Sequence, residues 1–181
     1  MKQPQLVFAH TVEGLLRTLG PLSPADIAQF KELGVDPTAR LEPAYPVEQY
    51  LKLMALGVKL HAPGLPFDEG VRSLGRRFVD GYGETLVGKA MLIALRMLGP
   101  RRALDRLGKS LTTGSTFFET KVTEVAPNDC QVWINRVTWP GWYQGLLERG
   151  LERSGGRDVT AEVHSHEGPG LGLTLRVRWT T

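Results

Sequence analysis

The feature that most constrains the fold of this chain is a change in the spacing of its apolar residues near Lys109. Before that residue, apolar side chains recur every three or four positions, as on one face of an α-helix; after it they alternate with polar ones, as along a β-strand. We therefore predict an α+β protein in which N-terminal helices pack on an antiparallel sheet made of two β-hairpins separated by a helix. We treat residues 1–181 as a single domain, mainly helical over 1–109, with the hairpin, helix and hairpin over 110–181.

Capping and breaking residues divide the first part into helices. Ser23-Pro24 is typical of a helix start, and the helix that follows Pro46 has apolar residues at helical spacing. Between Glu84 and Leu98 almost every residue is apolar, which predicts a central helix that is buried nearly all round. Charged residues interrupt this run well short of the roughly 18 apolar residues that a membrane span requires. Gly99-Pro100 ends the helix and opens a new one.

The second part reads as strand, strand, helix, strand, strand. The first hairpin covers 118–134 with its turn at 127–129, and the second covers 159–179 with its turn at 167–170. Between them a helix begins at Trp139-Pro140 and ends at Gly155-Gly156.

Composition excludes several classes of protein. The net charge of +3 and the pI near 9.2 are mildly basic, and the absence of a Lys/Arg block argues against a nucleic-acid partner. Cys130 is the only cysteine, so the chain can form neither an intrachain disulfide nor a cysteine-based zinc site. The N-terminus lacks the apolar stretch of a signal peptide. We expect a cytoplasmic protein.

A candidate metal site lies in the last hairpin. Glu162, His164 and His166 alternate along a predicted strand, so they are expected on one face, where two imidazoles and a carboxylate could hold zinc. The alternative is a solvated face on which Arg176 and Arg178 of the neighbouring strand pair with Glu162. We favour the ion pairs and predict no metal.

The candidate ligand-binding residues are Arg101, Arg102 and Arg106, at the start of the helix opened by Pro100. Free N–H groups and partial positive charge at a helix N-terminus favour anions, so this cluster could hold a phosphate or a carboxylate. The alternative is a solvated helix face on which Asp105 neutralises one arginine.

The other polar residues suit structural roles better than catalytic or ligand-binding roles. Arg76 and Arg77 precede Asp80 at intervals that favour an ion pair within one helix. Cys130 lies on the apolar face of a strand, where a buried, inert thiol is expected. We find no catalytic constellation, so we predict no catalytic residue, no cofactor and no enzymatic activity.

Five segments of the chain carry a family resemblance: LEPAYPVEQY (41–50), LGRRFVDGYGETLVGKA (74–90), GPRRALDRL (99–107), PGWYQGLLERGL (140–151) and LRVRW (175–179). Together they resemble a paralogous family of myxobacterial proteins described only as a domain of unknown function. The resemblance covers nearly the whole chain and implies no activity and no catalytic residue.

The layout of the tail also resembles ligand-sensing domains of the 4-vinyl reductase type. Their relatives include haem nitric-oxide/oxygen sensors and small subunits of vesicle-tethering complexes, which bind small or hydrophobic ligands or assemble through paired helices. The chain departs from those patterns, since 162–176 contains no Cys. We also find neither a proximal His on a helix nor a Tyr-x-Ser-x-Arg motif. These departures argue against a thiol, metal or haem function.

Two hypotheses about function follow from this resemblance. The first is a non-enzymatic ligand-sensing or regulatory module, with a small hydrophobic or anionic molecule between the 84–98 helix and the sheet and the three arginines at the mouth of the pocket. The second is a structural module that acts as a homodimer or protein-partner adaptor, with Leu53, Met54 and Trp142 in its interface.

Overall fold

The computed structural model describes residues 4–181, and its secondary structure follows the predicted order. The helices are α1 (Ala9–Leu19), α2 (Pro24–Glu32), α3 (Val47–His61), α4 (Phe67–Tyr82), α5 (Leu86–Thr113) and α6 (Pro140–Arg153). The strands are β1 (Leu6–Phe8), β2 (Ala44–Pro46), β3 (Thr120–Ala126), β4 (Asp129–Val137), β5 (Arg157–His166) and β6 (Leu171–Thr180). The α+β prediction is confirmed, with two short strands, β1 and β2, added among the helices.

The main sheet is antiparallel and has the strand order β3-β4-β6-β5. Each hairpin supplies one central and one edge strand, and β4 and β6 pair at the centre, with Val132 opposite Leu175. Alternate residues of these central strands point towards the helices and are fully buried, as the period of two predicted. Helix α6 covers this inner face, and the opposite face carries polar side chains such as Arg176 and Arg178.

The centre of the helical layer is the contact between α4 and α6. The two helices cross so closely that a Cβ on Gly75 would overlap the carbonyl oxygen of Trp142, and one on Gly145 would overlap that of Arg72. Because glycine has no Cβ, these positions let the two backbones meet directly. The pair α4 and α6 therefore occupies the place that the sequence assigned to the 84–98 segment.

The prediction of a central buried helix over 84–98 is wrong. This segment forms the first half of α5, and Leu86, Ile93 and Met97 are 87%, 62% and 83% exposed. Gly99 has the non-helical value φ 72 and separates it from the second half, which packs against the sheet. An apolar run shows that a helix can be buried, but it does not show whether the core has room for it.

The predicted assembly interface is also corrected. Leu53, Met54 and Trp142 are 0%, 4% and 5% exposed and belong to the hydrophobic core, so they cannot form a surface in the folded chain. Over residues 4–181, no helix is long and apolar enough to cross a membrane.

Candidate functional site

An apolar cavity of about 280 Å³ lies among the helices, where they meet the end of β4. Roughly 300–1,000 Å³ is usual for small-molecule pockets, so this cavity is at the lower limit of that range. Its apolar wall is formed by β1, by helices α3 to α6 and by the segments that precede β3 and α6: Val7, Val47, Leu51, Met54, Phe78, Val79, Met91, Leu107, Leu111, Phe117, Phe118, Trp139, Trp142 and Leu146.

Aromatic contacts fix the shape of this wall. The ring centroids of Phe78 and Trp142 are 4.9 Å apart, and Phe78 also stacks on Tyr82 at 5.5 Å. On the opposite side, Phe118 meets the ring of Tyr143 edge to face at 5.9 Å. Tilted and edge-to-face pairs at these distances are favourable, so the wall is pre-formed rather than collapsed.

Two phenols are the most buried polar groups of the cavity lining. Tyr50 is 7% exposed, and its hydroxyl is buried without a hydrogen-bond partner among residues 4–181. Burial raises the pKa of Tyr50, and burial together with the nearby Tyr50 raises the pKa of Tyr143. Both phenols are therefore protonated at neutral pH and can donate a hydrogen bond to a molecule in the cavity.

The rim of the cavity is polar and partly exposed. Arg136 and Thr138, two residues apart at the end of β4, both line the cavity next to Trp139, which precedes α6. The guanidinium of Arg136 forms neither an ion pair nor a side-chain hydrogen bond with any described residue. Glu48, in the first turn of α3, is the carboxylate in this lining.

His10 supplies the imidazole of the cavity lining. Its ring centroid lies 6.2 Å from that of Phe8 and also 6.2 Å from that of Tyr82. Burial lowers the pKa of His10, and the neighbouring Glu13 carboxylate only partly offsets this effect. The imidazole is therefore neutral at neutral pH.

The predicted ligand-binding arginines are outside the cavity. Arg101 donates to Glu124 at 2.9 Å and to Asp105 at 2.8 Å, and these hydrogen bonds raise its pKa. The side chains of Arg102 and Arg106 are exposed on α5. The structure does not place these three residues at the mouth of the cavity, and their role as an anion site stays a prediction.

The candidate metal site in the last hairpin is not assembled. The register of β5 shifts between Val163 and Ser165, so Glu162 is paired with Arg176 on the outer face while His166 is opposite the buried Leu173. The expectation that Glu162 and His166 share a face is therefore wrong. Arg178 lies 3.1 Å from Glu162, as the alternative predicted. Within 4–181, no group of three His, Cys, Asp or Glu side chains could hold a metal ion.

The predicted ion pair within α4 is replaced by a network between α4 and α6. Asp80 accepts hydrogen bonds from Arg149 and Arg153 of α6, and Arg76 bonds Glu148 at 3.0 Å and Glu152 at 2.7 Å. Helix pairing thus brings the charges of α4 next to opposite charges of α6, which are nearer than those within α4.

Sequence reasoning did not single out the residues that line this cavity. In the sequence, Tyr50 belongs to the apolar face of the helix that follows Pro46, and Trp139 precedes a helix start. Arg136 is one of 22 lysines and arginines, and no local pattern sets it apart. They come together only because β4 ends beside α3 and α6.

The comparisons with known proteins agree with this fold. The family described as "Protein of unknown function (DUF2378)" matches residues 5–180, so the chain belongs to that family. No curated protein matches the chain.

Solved structures of H-NOX domains share the architecture. One, from work on the molecular mechanism of H-NOX activation, has a TM-score of 0.64 and 19% identity, covering 94% of this chain and 95% of its own. An oxygen-binding H-NOX domain related to soluble guanylate cyclases, solved as its oxygen complex, has a TM-score of 0.62 and 17% identity over 94% and 93% of the chains. A variant H-NOX from T. tengcongensis has a TM-score of 0.57 and 16% identity over 92% and 94%. At these identities the similarity establishes the fold.

A further similar structure, from work on haem redox potential and porphyrin distortion, has a TM-score of 0.63 and 16% identity over 94% and 93% of the chains, which raises the question of whether this cavity fits a haem. Haem carries two carboxylates, whereas Arg136 is the one Lys or Arg in the described cavity lining. Haem iron needs an axial His, Cys, Met or Tyr, and the described lining contains such residues in His10, Met54 and Met91, so the ligand types alone do not decide the question. A macrocycle of that size would also require the cavity of about 280 Å³ to expand. The charge and the volume of this cavity therefore do not fit a haem.

Proposed function

We propose that this chain is a non-enzymatic, cytoplasmic regulatory module that binds a small, mainly apolar molecule in the cavity beside Tyr50. The observation that carries the proposal is the unpartnered Tyr50 hydroxyl in the wall of a pre-formed apolar cavity. A buried hydroxyl without a partner costs about 1–3 kcal/mol, and a bound molecule with an acceptor atom would recover that loss. The shared fold with ligand-binding H-NOX domains supports the same function.

Binding without turnover is supported by the polar groups of the cavity. A nucleophile needs an adjacent base, yet the Ser110 hydroxyl donates to the carbonyl of Arg106 at 2.9 Å, within its own helix. Cys130 is buried on the sheet, where burial raises the pKa of its thiol, and it does not line the cavity. The described lining thus presents hydrogen-bond donors and apolar surface, which suit recognition.

Native mass spectrometry of the purified protein, followed by denaturing analysis of whatever dissociates, tests this proposal. We expect a reproducible extra mass on the folded protein. Leu51→Trp should abolish it by filling the cavity, while Leu60→Trp should keep it, because Leu60 is a partly buried residue of the same helix that does not line the cavity. The proposal would be contradicted if both variants kept the extra mass, or if wild type and both variants all lacked it.

The exposed face of α5 supports a second candidate function, assembly into a homodimer or with a protein partner. Leu86, Ala90, Ile93 and Met97 are spaced by three and four residues and form one exposed apolar stripe. A contiguous apolar surface of this kind often marks an interaction site. This stripe replaces the interface residues that the sequence suggested.

Analytical ultracentrifugation separates this second candidate from the first. If the stripe joins two copies, wild type should sediment as a dimer and Ile93→Glu as a folded monomer. Leu171→Glu is the matched control, because Leu171 is an exposed apolar residue on β6, outside the stripe. A monomeric wild type would exclude the homodimer.

A further inference from the structure

The ligand of this cavity can be specified further from the charges at its rim. We propose that the cavity binds a medium-length apolar carboxylic acid, with its carboxylate beside Arg136 and the N-terminus of α6 and its hydrocarbon part among the apolar wall residues. This inference rests on the proposed function.

Unlike the arginines that are held in ion pairs, Arg136 has no carboxylate partner among the described residues, and it is the one arginine of the described cavity lining. Arg76, Arg101 and Arg176, for example, each donate to one or more carboxylates. Arg136 lines the cavity and forms no ion pair with a described residue, so its guanidinium is free to bind an anion from the cavity side. Charge-assisted hydrogen bonds from arginine to carboxylate are among the stronger interactions of proteins.

The groups next to Arg136 also favour negative charge. Helix α6 has 14 residues and begins at Pro140, and three residues of its start, Trp139, Trp142 and Tyr143, line the cavity. The partial positive charge of a helix N-terminus attracts anions. The Thr138 hydroxyl and the unpartnered phenol of Tyr50, only 7% exposed, add neutral donors to the same lining.

Glu48 is the carboxylate at this rim, and its position explains why its negative charge does not select a cationic ligand. It is in the first turn of α3, where a carboxylate stabilises the N-terminus of its own helix. Arg136, on a strand, has no such role. A cationic ligand would also lie beside Arg136 and the start of α6, where it would be repelled.

The volume of the cavity limits the length of the acid. About 280 Å³ is nearly twice the roughly 150 Å³ of an engineered apolar cavity that holds one benzene. On that scale the buried part of the ligand has on the order of a dozen non-hydrogen atoms. Decanoic acid is therefore a suitable probe, with decanol and decyltrimethylammonium as its neutral and cationic counterparts.

Titration calorimetry with these three probes tests the proposal. We expect wild type to bind decanoate at least tenfold more tightly than decanol, and decyltrimethylammonium least. Arg136→Met should abolish the preference for decanoate while decanol binds as before. Arg102→Met is the matched control, because Arg102 is an exposed arginine outside the cavity lining, and it should bind all three probes as wild type does.

Each contrary result would overturn a different part of the proposal. Equal affinity for decanoate and decanol in wild type would overturn the carboxylate site and leave the apolar ligand site standing. Loss of the preference in Arg102→Met but not in Arg136→Met would move the anion site to α5. If no probe binds and native mass spectrometry shows no adduct, both this inference and the proposed function fail.

Discussion

Two buried tyrosines of this chain differ in one hydrogen bond, and that difference marks the site. The hydroxyl of Tyr45 accepts a hydrogen bond from the Glu42 amide at 2.9 Å, whereas the hydroxyl of Tyr50 has no partner among the described residues. Buried polar groups are nearly always satisfied, and an exception calls for an explanation. A ligand that accepts from Tyr50 provides one.

We therefore expect opposite effects of the same substitution at these two positions. Tyr50→Phe should raise the free energy of unfolding of the ligand-free protein by about 1 kcal/mol, because it removes an unsatisfied buried hydroxyl. Tyr45→Phe should lower it by about 1 kcal/mol, because the Glu42 amide then loses its acceptor. Urea denaturation measures both. A loss of stability in Tyr50→Phe equal to that in Tyr45→Phe would mean that the Tyr50 hydroxyl is satisfied in solution.

The ion pairs between α4 and α6 predict a pH dependence of stability. Burial raises the pKa of Glu152, but hydrogen bonds from Arg76 and Arg149 outweigh this effect and hold it below its ordinary value of 4.5. A carboxylate with a lowered pKa stabilises the fold above its unfolded pKa, and that stability is lost as the pH falls through the folded pKa. Glu152→Gln should therefore cost about 1 kcal/mol at pH 7, and the difference from wild type should shrink below pH 4.5.

Thermal unfolding of both proteins between pH 7 and pH 3 measures this effect. Glu119→Gln is the control, since Glu119 is exposed and forms no ion pair with a described residue. A difference between wild type and Glu152→Gln that stays constant down to pH 3 would rule out the charge as its cause.

At the scale of the elements, the fold depends on how closely α4 and α6 approach. A Cβ at position 145 would meet the backbone of α4, which cannot yield as a side chain can. At Gly57 in α3, the nearest neighbour of an added Cβ is the end of the Leu74 side chain, at 3.3 Å. Both glycines are inside helices, so alanine has the better intrinsic propensity at each by roughly 1 kcal/mol.

The two glycines should consequently respond differently to alanine. Gly57→Ala should change the free energy of unfolding by less than about 1 kcal/mol, because the propensity gain offsets a small adjustment of Leu74. Gly145→Ala should cost about 3 kcal/mol, because overpacking forces the helices apart. Guanidinium denaturation compares them. Equal stability of the two variants would show that the helix contact is looser than the structure indicates.

The sequence predicted the elements well because their boundaries are local properties. Ser23 caps α2 with a reciprocal bond to Asp26, and Gly99-Pro100 breaks α5, as each pattern indicated. The alternation in β4 and β6 also gave the buried face correctly. The failure at 84–98 is tertiary, since the glycines of α4 and α6 decide which helices occupy the centre, and no local pattern reports that choice.

At the scale of the whole molecule, the cavity could not be predicted because its lining is drawn from distant parts of the chain. Val7, Tyr50, Leu107 and Trp139 each match an ordinary core pattern, and only the topology turns their contacts into a wall around empty space. The arginines at 101, 102 and 106 were conspicuous in the sequence because they are clustered. Arg136 is isolated in the sequence, and it reaches the cavity because β4 ends next to the start of α6.

A ligand in this cavity should stabilise the entire fold, because it binds the folded state alone. At a free concentration of 100 times its Kd, it adds about 2.7 kcal/mol to the free energy of unfolding. For a chain of this size each kcal/mol corresponds to roughly 2–4 °C in Tm, so decanoate should raise the Tm by about 5–11 °C. Differential scanning calorimetry with and without decanoate measures the shift. It should be absent in Leu51→Trp, whose cavity is filled, and present in Leu60→Trp; a shift of equal size in both variants would locate the binding elsewhere on the protein.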